Sequence, residues 1–173
     1  METINPKWLS ETSPWGSPFN TPLECGLRLA VLLVDAFPFG CDLQRLTQYD
    51  YLLVHSGDIN DGPPSIHPAT PHRSGELHVR RQMIEQGLQM MMSKSVIECF
   101  PSSSGIIYRA GLWALTFVSS LQEPYTKALK ESSSWVIERF GPLSDEELVT
   151  FITERWERWG PEFTQSTLSL LSE

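Results

Sequence analysis

Clear helix start and stop signals divide most of the chain into short helical segments. The first opens at Thr21-Pro22, and Glu24 completes an N-terminal capping pattern three residues after Thr21. Apolar residues then recur at spacings of three and four until Pro38 interrupts them. Asp42 can cap a short second helix, and the segment TQYDYLLVHS repeats the same signals. The sequence therefore predicts three short helices in close succession, which resemble a helix-turn-helix core.

A long loop and a hairpin follow these helices. Residues 55–75 hold seven proline and glycine residues and are called the histidine loop below. A long helical pattern begins at Glu76. The runs SVIECF and IIYRA, rich in β-branched and aromatic residues, then flank PSSSG and predict a β-hairpin. Further helices are predicted from near Gly111, from Pro124 and from Ser144.

This order of elements favours a mainly α fold with a small β-hairpin. We interpret it as a winged-helix-like domain, with the hairpin as its wing, plus a C-terminal helical extension. The predicted divisions are an extended N-terminal arm at residues 1–20, the winged-helix-like domain with the histidine loop at 21–122, and the helical extension at 123–173.

The charge balance argues against a protein that binds nucleic acid alone. The 13 basic and 21 acidic residues give a formal charge of −8, which opposes approach to a phosphate backbone. The three cysteines form no CxxC pair and indicate reduced thiols. No signal peptide is recognisable, and the segment LAVLLVDAFPF is too short to span a bilayer. We therefore expect a cytoplasmic protein without a membrane segment.

All four histidines fall between His55 and His78, which raises the question of a metal site. The spacing His55-x11-His67-x4-His72-x5-His78 lacks the short pairs and nearby cysteines of structural zinc sites. The chain has no HExxH, G-x-S-x-G or P-loop motif. We expect no catalytic residue, metal or cofactor. A metal-dependent enzyme that uses the histidine loop stays open as the less favoured alternative.

Charged residues around the histidine loop predict a polar network that pins the loop to the long helix. Its predicted members are Asp58, His67, His72, Arg73, Glu76, Arg80 and Arg81. Lys94 and Arg109 are candidate nucleic-acid contacts, because they lie beside the predicted wing. The candidate recognition segment TQYDYLLVHS has no basic residue, so a winged-helix DNA-binding regulator is the first alternative rather than the main hypothesis.

Tryptophans in the N-terminal arm are candidate anchors for a partner protein. Trp8 and Trp15 stand in a segment without helical periodicity, and tryptophan is enriched among binding hot spots. Trp156 and Trp159 are spaced for one helical face, where core packing is the favoured role. An acidic chain with such aromatic residues is typical of an adaptor.

Five segments resemble a known family. They are PFNTPLECGLR, LQRLTQYDYLLVHSGD, GPPSIHPATPHRSGELHVRR, GIIYRA and FGPLSDEEL. Together they resemble the middle component of bacterial ABC-three-component systems, over residues 18–162.

The resemblance implies an accessory subunit encoded beside an ABC ATPase of the SMC/Rad50 type and a third, effector-like component. Such systems, Lamassu-like ones among them, act in defence against phages and plasmids. The resemblance implies no enzymatic activity for this subunit. DNA contact would then arise mainly within the assembled complex.

Overall fold

The computed structural model describes residues 21–67 and 74–159, apart from the side chains of 74–79 and 155–159. Its elements in chain order are α1 (Pro22–Ala36), α2 (Leu43–Val54), α3 (Ser74–Met92), β1 (Ile97–Ser102), β2 (Gly105–Ala110), α4 (Ala114–Ser120), α5 (Pro124–Phe140) and α6 (Asp145–Trp159). A 3-10 turn at Ser56–Asp58 follows α2. The predicted mainly helical fold with one antiparallel hairpin is confirmed.

The predicted N-terminal caps of α1 and α2 are present. The Thr21 hydroxyl oxygen accepts from the Glu24 N–H at 3.2 Å, and the Asp42 carboxylate accepts from the Arg45 N–H at 2.7 Å. The prediction of separate second and third helices was wrong, because α2 is continuous. The Thr47 hydroxyl donates to the Leu43 carbonyl at 2.7 Å, one turn back, and caps no new helix.

The hairpin has the predicted turn and is attached to the connection between α1 and α2. Gly105, with a φ of 128°, stands opposite Ser102 at the tip. Tyr108 on β2 forms an antiparallel bridge with Cys41, with N–H to carbonyl distances of 2.9 and 2.8 Å. This bridge holds the hairpin beside the segment that leads into α2.

One buried cluster joins the N-terminal and C-terminal helices. Helix α1 lies at its centre, and Leu29 through Leu33 are at most 1% exposed. Helices α5 and α6 contribute to the same cluster Leu129, Val136, Phe140, Leu148 and Ile152. The C-terminal helices therefore share this core, and the division at residue 123 stays a prediction.

The expectations of no membrane segment and of reduced thiols can be compared with the described residues. No helix within 21–67 and 74–159 is long and apolar enough to cross a bilayer. Cys25 and Cys41 are buried free thiols, and burial raises the pKa of each to about 11. Cys99 is a free thiol as well, but it is exposed on β1.

Two glycines set the separation of α1 and α3, which form the most extensive helix pair in the described chain. A Cβ added at Gly87 would lie 2.6 Å from the backbone N of Gly26 and 2.8 Å from the Pro22 carbonyl oxygen. These are backbone atoms and cannot rotate away. Only glycine at position 87 lets the two helices pack this closely.

We expect Gly87→Ala to lower the free energy of unfolding by about 2 kcal/mol, because the added methyl forces α1 and α3 apart. The sign of this change identifies the cause, because alanine in an unobstructed helix raises the free energy of unfolding by about 1 kcal/mol over glycine. Urea unfolding measures the change, with Gln86→Ala, at an exposed neighbouring position, as the control. A Gly87→Ala variant more stable than wild type would contradict the packing described.

Candidate functional site: the histidine loop and the charges beneath it

The described half of the histidine loop closes on the end of α2. The N–H groups of Ile66 and His67 both lie within hydrogen-bond distance of the Val54 carbonyl, at 3.1 and 3.2 Å. Gly62 N–H donates to the Ile59 carbonyl at 3.0 Å within the loop. Residues 55–67 therefore form a compact loop with defined hydrogen bonds rather than a loose connection.

His67 fastens this loop to α1 and α5. Its Nε2 lies 3.1 Å from Glu24 Oε1 and 3.3 Å from the Tyr125 hydroxyl, and its ring is stacked near that of Tyr125. The Tyr125 hydroxyl also donates to Glu24 Oε1. Burial alone would raise the pKa of Glu24, but the hydrogen bonds from His67 and Tyr125 and the charge of Arg28 lower it overall. Glu24 is therefore an ionised acceptor that joins three segments.

A buried carboxylate between two arginines lies at the meeting point of α1, α2 and α3. Asp50 Oδ1 is 2.5 Å from Arg28 Nε, and Asp50 Oδ2 is 3.2 Å from Arg28 Nη2. Arg80 Nη1 donates to Asp50 Oδ2 at 2.6 Å. Burial opposes ionisation of Asp50, but the two guanidinium groups hold its pKa at about 2. Asp50 therefore stays charged at neutral pH.

Arg28 connects the two clusters. Its Nη1 lies 3.2 Å from Glu24 Oε1, and its side chain is fully buried. The combined set contains two arginines and two carboxylates, Arg28, Arg80, Glu24 and Asp50, so its formal charges balance. We call these four residues with His67 and Tyr125 the buried charge network. It runs from the histidine loop through α1 to α2, α3 and α5.

The buried charge network contains only part of the predicted network. His67 and Arg80 belong to it, but they are joined through Glu24, Arg28 and Asp50 rather than to each other. The described contacts of His67 are to Glu24 on α1 and Tyr125 on α5, and the pinning of the loop to α3 stays a prediction.

Two of the other predicted network residues are described. Arg81 Nε is 3.6 Å from Glu85 Oε1 on its own helix, and Asp58 is partly exposed in the 3-10 turn. Trp8, Trp15, His72, Arg73 and the side chain of Glu76 lie outside the described residues.

The sequence interpretation missed four members of the buried charge network: Glu24, assigned only a capping role, Arg28, Asp50 and Tyr125. A signal for two of them was available. Arg28 interrupts the apolar run GLRLAVLLV, and Asp50 interrupts YDYLLV. A single charge within an apolar helical stripe requires a buried partner of opposite sign. Pairing these two charges would have predicted the contact between α1 and α2.

The two candidate nucleic-acid contacts lie on the hairpin and in the turn before it. Arg109 is opposite Glu98 across the hairpin, and its guanidinium stacks 4.2 Å from the centre of the Phe100 ring. Lys94 is exposed in the turn after α3. The segment TQYDYLLVHS cannot serve as a recognition helix, because residues 48–56 are buried. That prediction was wrong: the segment packs into the core.

Metal coordination finds no support in the part of the chain that is described. No group of three or more His, Cys, Asp and Glu side chains in residues 21–67 and 74–159 could hold a metal ion. His67 contacts Glu24 and Tyr125, and the His55 ring lies 4.9 Å from that of Tyr51. His72 and the side chain of His78 are outside the described set, so the metal alternative stays untested.

Adjacent arginines on α3 offer a matched test of the buried charge network. We expect Arg80→Met to cost about 3–5 kcal/mol of unfolding free energy, because it leaves Asp50 with a surplus of negative charge in the core. Arg81→Met should change it by less than about 1 kcal/mol, since the pair with Glu85 is solvent-exposed. Chemical unfolding followed by tryptophan fluorescence measures both. Equal effects of the two substitutions would contradict the described burial.

Comparison with known proteins gives one match. Comparison with curated proteins and with solved structures finds no significant similarity. The model of the family described as "ABC-three component (ABC-3C) system Middle Component 2" matches residues 18–162. That range includes α1 to α6 and all members of the buried charge network. The chain therefore belongs to the Middle Component 2 family of ABC-three-component systems.

Proposed function

We propose that this protein is a non-catalytic accessory subunit that bridges or regulates the other components of its ABC-three-component system. The proposed partners are an SMC/Rad50-like ABC ATPase and a third, effector-like subunit. The proposed setting is defence against phages or plasmids, as in Lamassu-like systems. Membership of a family of middle components supports a role among partner proteins.

The observation that carries this proposal is a set of large apolar side chains on the surface. Five of those that are more than half exposed lie after α1 and around the start of α4: Phe37, Phe39, Leu112, Trp113 and Leu115. The helix predicted from near Gly111 begins at Ala114, so Leu112 and Trp113 precede it. Grouped exposed apolar residues mark protein interaction sites more often than solvent-facing surface.

Charge favours a protein partner over DNA as the direct ligand. The exposed positions of α3 include Gln82, Glu85, Gln86 and Gln89, and the charge of Arg81 is paired with that of Glu85. A surface of this kind cannot neutralise phosphates. In the proposed complex the ATPase supplies the positive charge for DNA contact.

The winged-helix-like interpretation is kept as part of the proposal. The order α1, α2, α3 and then the hairpin is compatible with three helices followed by a wing. With α2 continuous, α3 takes the position of the third helix. In this proposal α3 and the hairpin present surfaces to protein partners and not to a DNA groove.

Co-expression with the ATPase and the third component of the same system tests the proposal. We expect the three proteins to co-purify as one species, whose mass light scattering measures. The isolated protein should show no salt-sensitive binding to duplex DNA at about 150 mM salt. If the wild-type protein purifies as a separate species when both other components are present, the accessory-subunit role is overturned. Sequence-selective DNA binding by the isolated chain would instead support the regulator alternative.

A further inference from the structure

A preformed cleft lies where the α1–α2 connection meets the α5–α6 corner. Its volume is about 610 Å³. Most of its surface is apolar, with contributions from Phe39, Ile107, Ile137, Pro142 and Leu143. Phe39 is 76% exposed at the edge, which is unusual for a phenylalanine unless something covers it. No part of the buried charge network lines this cleft.

Arg45 keeps the cleft open by bracing its α5–α6 wall. Its Nη1 donates to Asp145 Oδ1 at 2.5 Å, and its Nε donates to the Tyr49 hydroxyl at 2.8 Å. Its Nη2 donates to the carbonyls of Phe140, at 3.2 Å, and Leu143. Every nitrogen of this guanidinium is engaged, so the shape of the wall is fixed before any ligand arrives.

Carboxylates outnumber basic side chains among the residues that line the cleft. Asp42 and Asp145 line the cleft, and Asp35 and Glu138 lie next to lining residues at the ends of α1 and α5. Burial first, and then the charge of Glu138, raise the pKa of Asp35. The guanidinium of Arg45, the basic residue that lines the cleft, pairs with Asp145, so the excess negative charge of the lining is that of Asp42. A basic ligand would offset the charge of Asp42 and relieve the repulsion between Asp35 and Glu138.

We infer that this cleft binds a segment of a partner protein in which apolar anchor side chains are flanked by lysine or arginine. The inference rests on the proposed function, because it assigns one contact surface within the proposed complex. The apolar lining fits the anchors, and the excess of carboxylates in the lining and beside it in the chain fits the flanking cations. The volume accommodates several side chains, as an amphipathic helix would present at positions i, i+3 and i+4.

The test compares two exposed apolar residues, Leu23 in the first turn of α1 and Phe39 just after its last turn. Phe39→Asp places a charge in the cleft. Leu23→Asp is the matched control, since Leu23 is 58% exposed, lies about 20 Å away by the rise of the helix, and stands where an acidic residue suits a helix start. Both variants are assembled with the ATPase and third component, and their dissociation constants are measured. We expect Phe39→Asp to weaken binding at least about tenfold and Leu23→Asp to leave it unchanged.

A second variant tests the charge requirement without altering the apolar surface. Asp35→Asn with Glu138→Gln should weaken binding several-fold at low salt and reduce its dependence on salt. If the wild type assembles and Phe39→Asp binds with the same affinity, the cleft inference is overturned and the proposed function stands.

Failure of wild type to assemble would overturn the proposed function instead. In that case the isolated protein is titrated with a synthetic lysine- and leucine-rich amphipathic helix, and NMR shifts are recorded. Shifts confined to cleft residues and lost in Phe39→Asp would support the cleft as a binding site for this chemistry. No shift at cleft residues would overturn it.

Discussion

The ion pairs between Asp50 and the two arginines determine how the helices of this protein are arranged. A carboxylate without exposure to solvent requires compensation by nearby cations, and Arg28 and Arg80 approach it from α1 and α3. Three helices must therefore come together before any of these charges can be buried. The bidentate contact between Arg28 and Asp50 fixes the relative orientation of the two side chains as well as their distance. The buried charge network thus specifies the helix arrangement more than it adds net stability.

The histidine loop depends on the same network. Glu24 Oε1 pairs with Arg28 and also contacts His67 and the Tyr125 hydroxyl. The loop is therefore attached to a carboxylate that also belongs to the charge balance between the helices. Within its described half, His55, Ser56, Ile59 and His67 are buried, whereas Asn60, Asp61, Pro64 and Ser65 are exposed. The exposed apolar residues on which the proposed function rests are Phe37 and Phe39 after α1 and those around Trp113 after β2.

Local patterns predicted the elements better than they predicted the contacts. The caps at Thr21, Asp42 and Ser144 and the hairpin turn follow from neighbouring residues, and the structure has them. The break predicted at Thr47 failed because its hydroxyl satisfies a helical carbonyl instead. The pairing of Arg28 with Asp50 joins positions 22 residues apart, which helical periodicity cannot register. Sequence patterns predict the cleft least of all, because its lining comes from the α1–α2 connection, the hairpin and the α5–α6 corner.

A double-mutant cycle between Asp50→Asn and Arg80→Met tests the central claim most directly. Each single change leaves one unbalanced charge in the core, whereas the double variant keeps Arg28 and Glu24 as a balanced pair. The account predicts that the double variant loses less unfolding free energy than the sum of the single variants, by about 2 kcal/mol or more in urea unfolding. Losses that add to within about 0.5 kcal/mol would show that these charges act independently and would contradict the account.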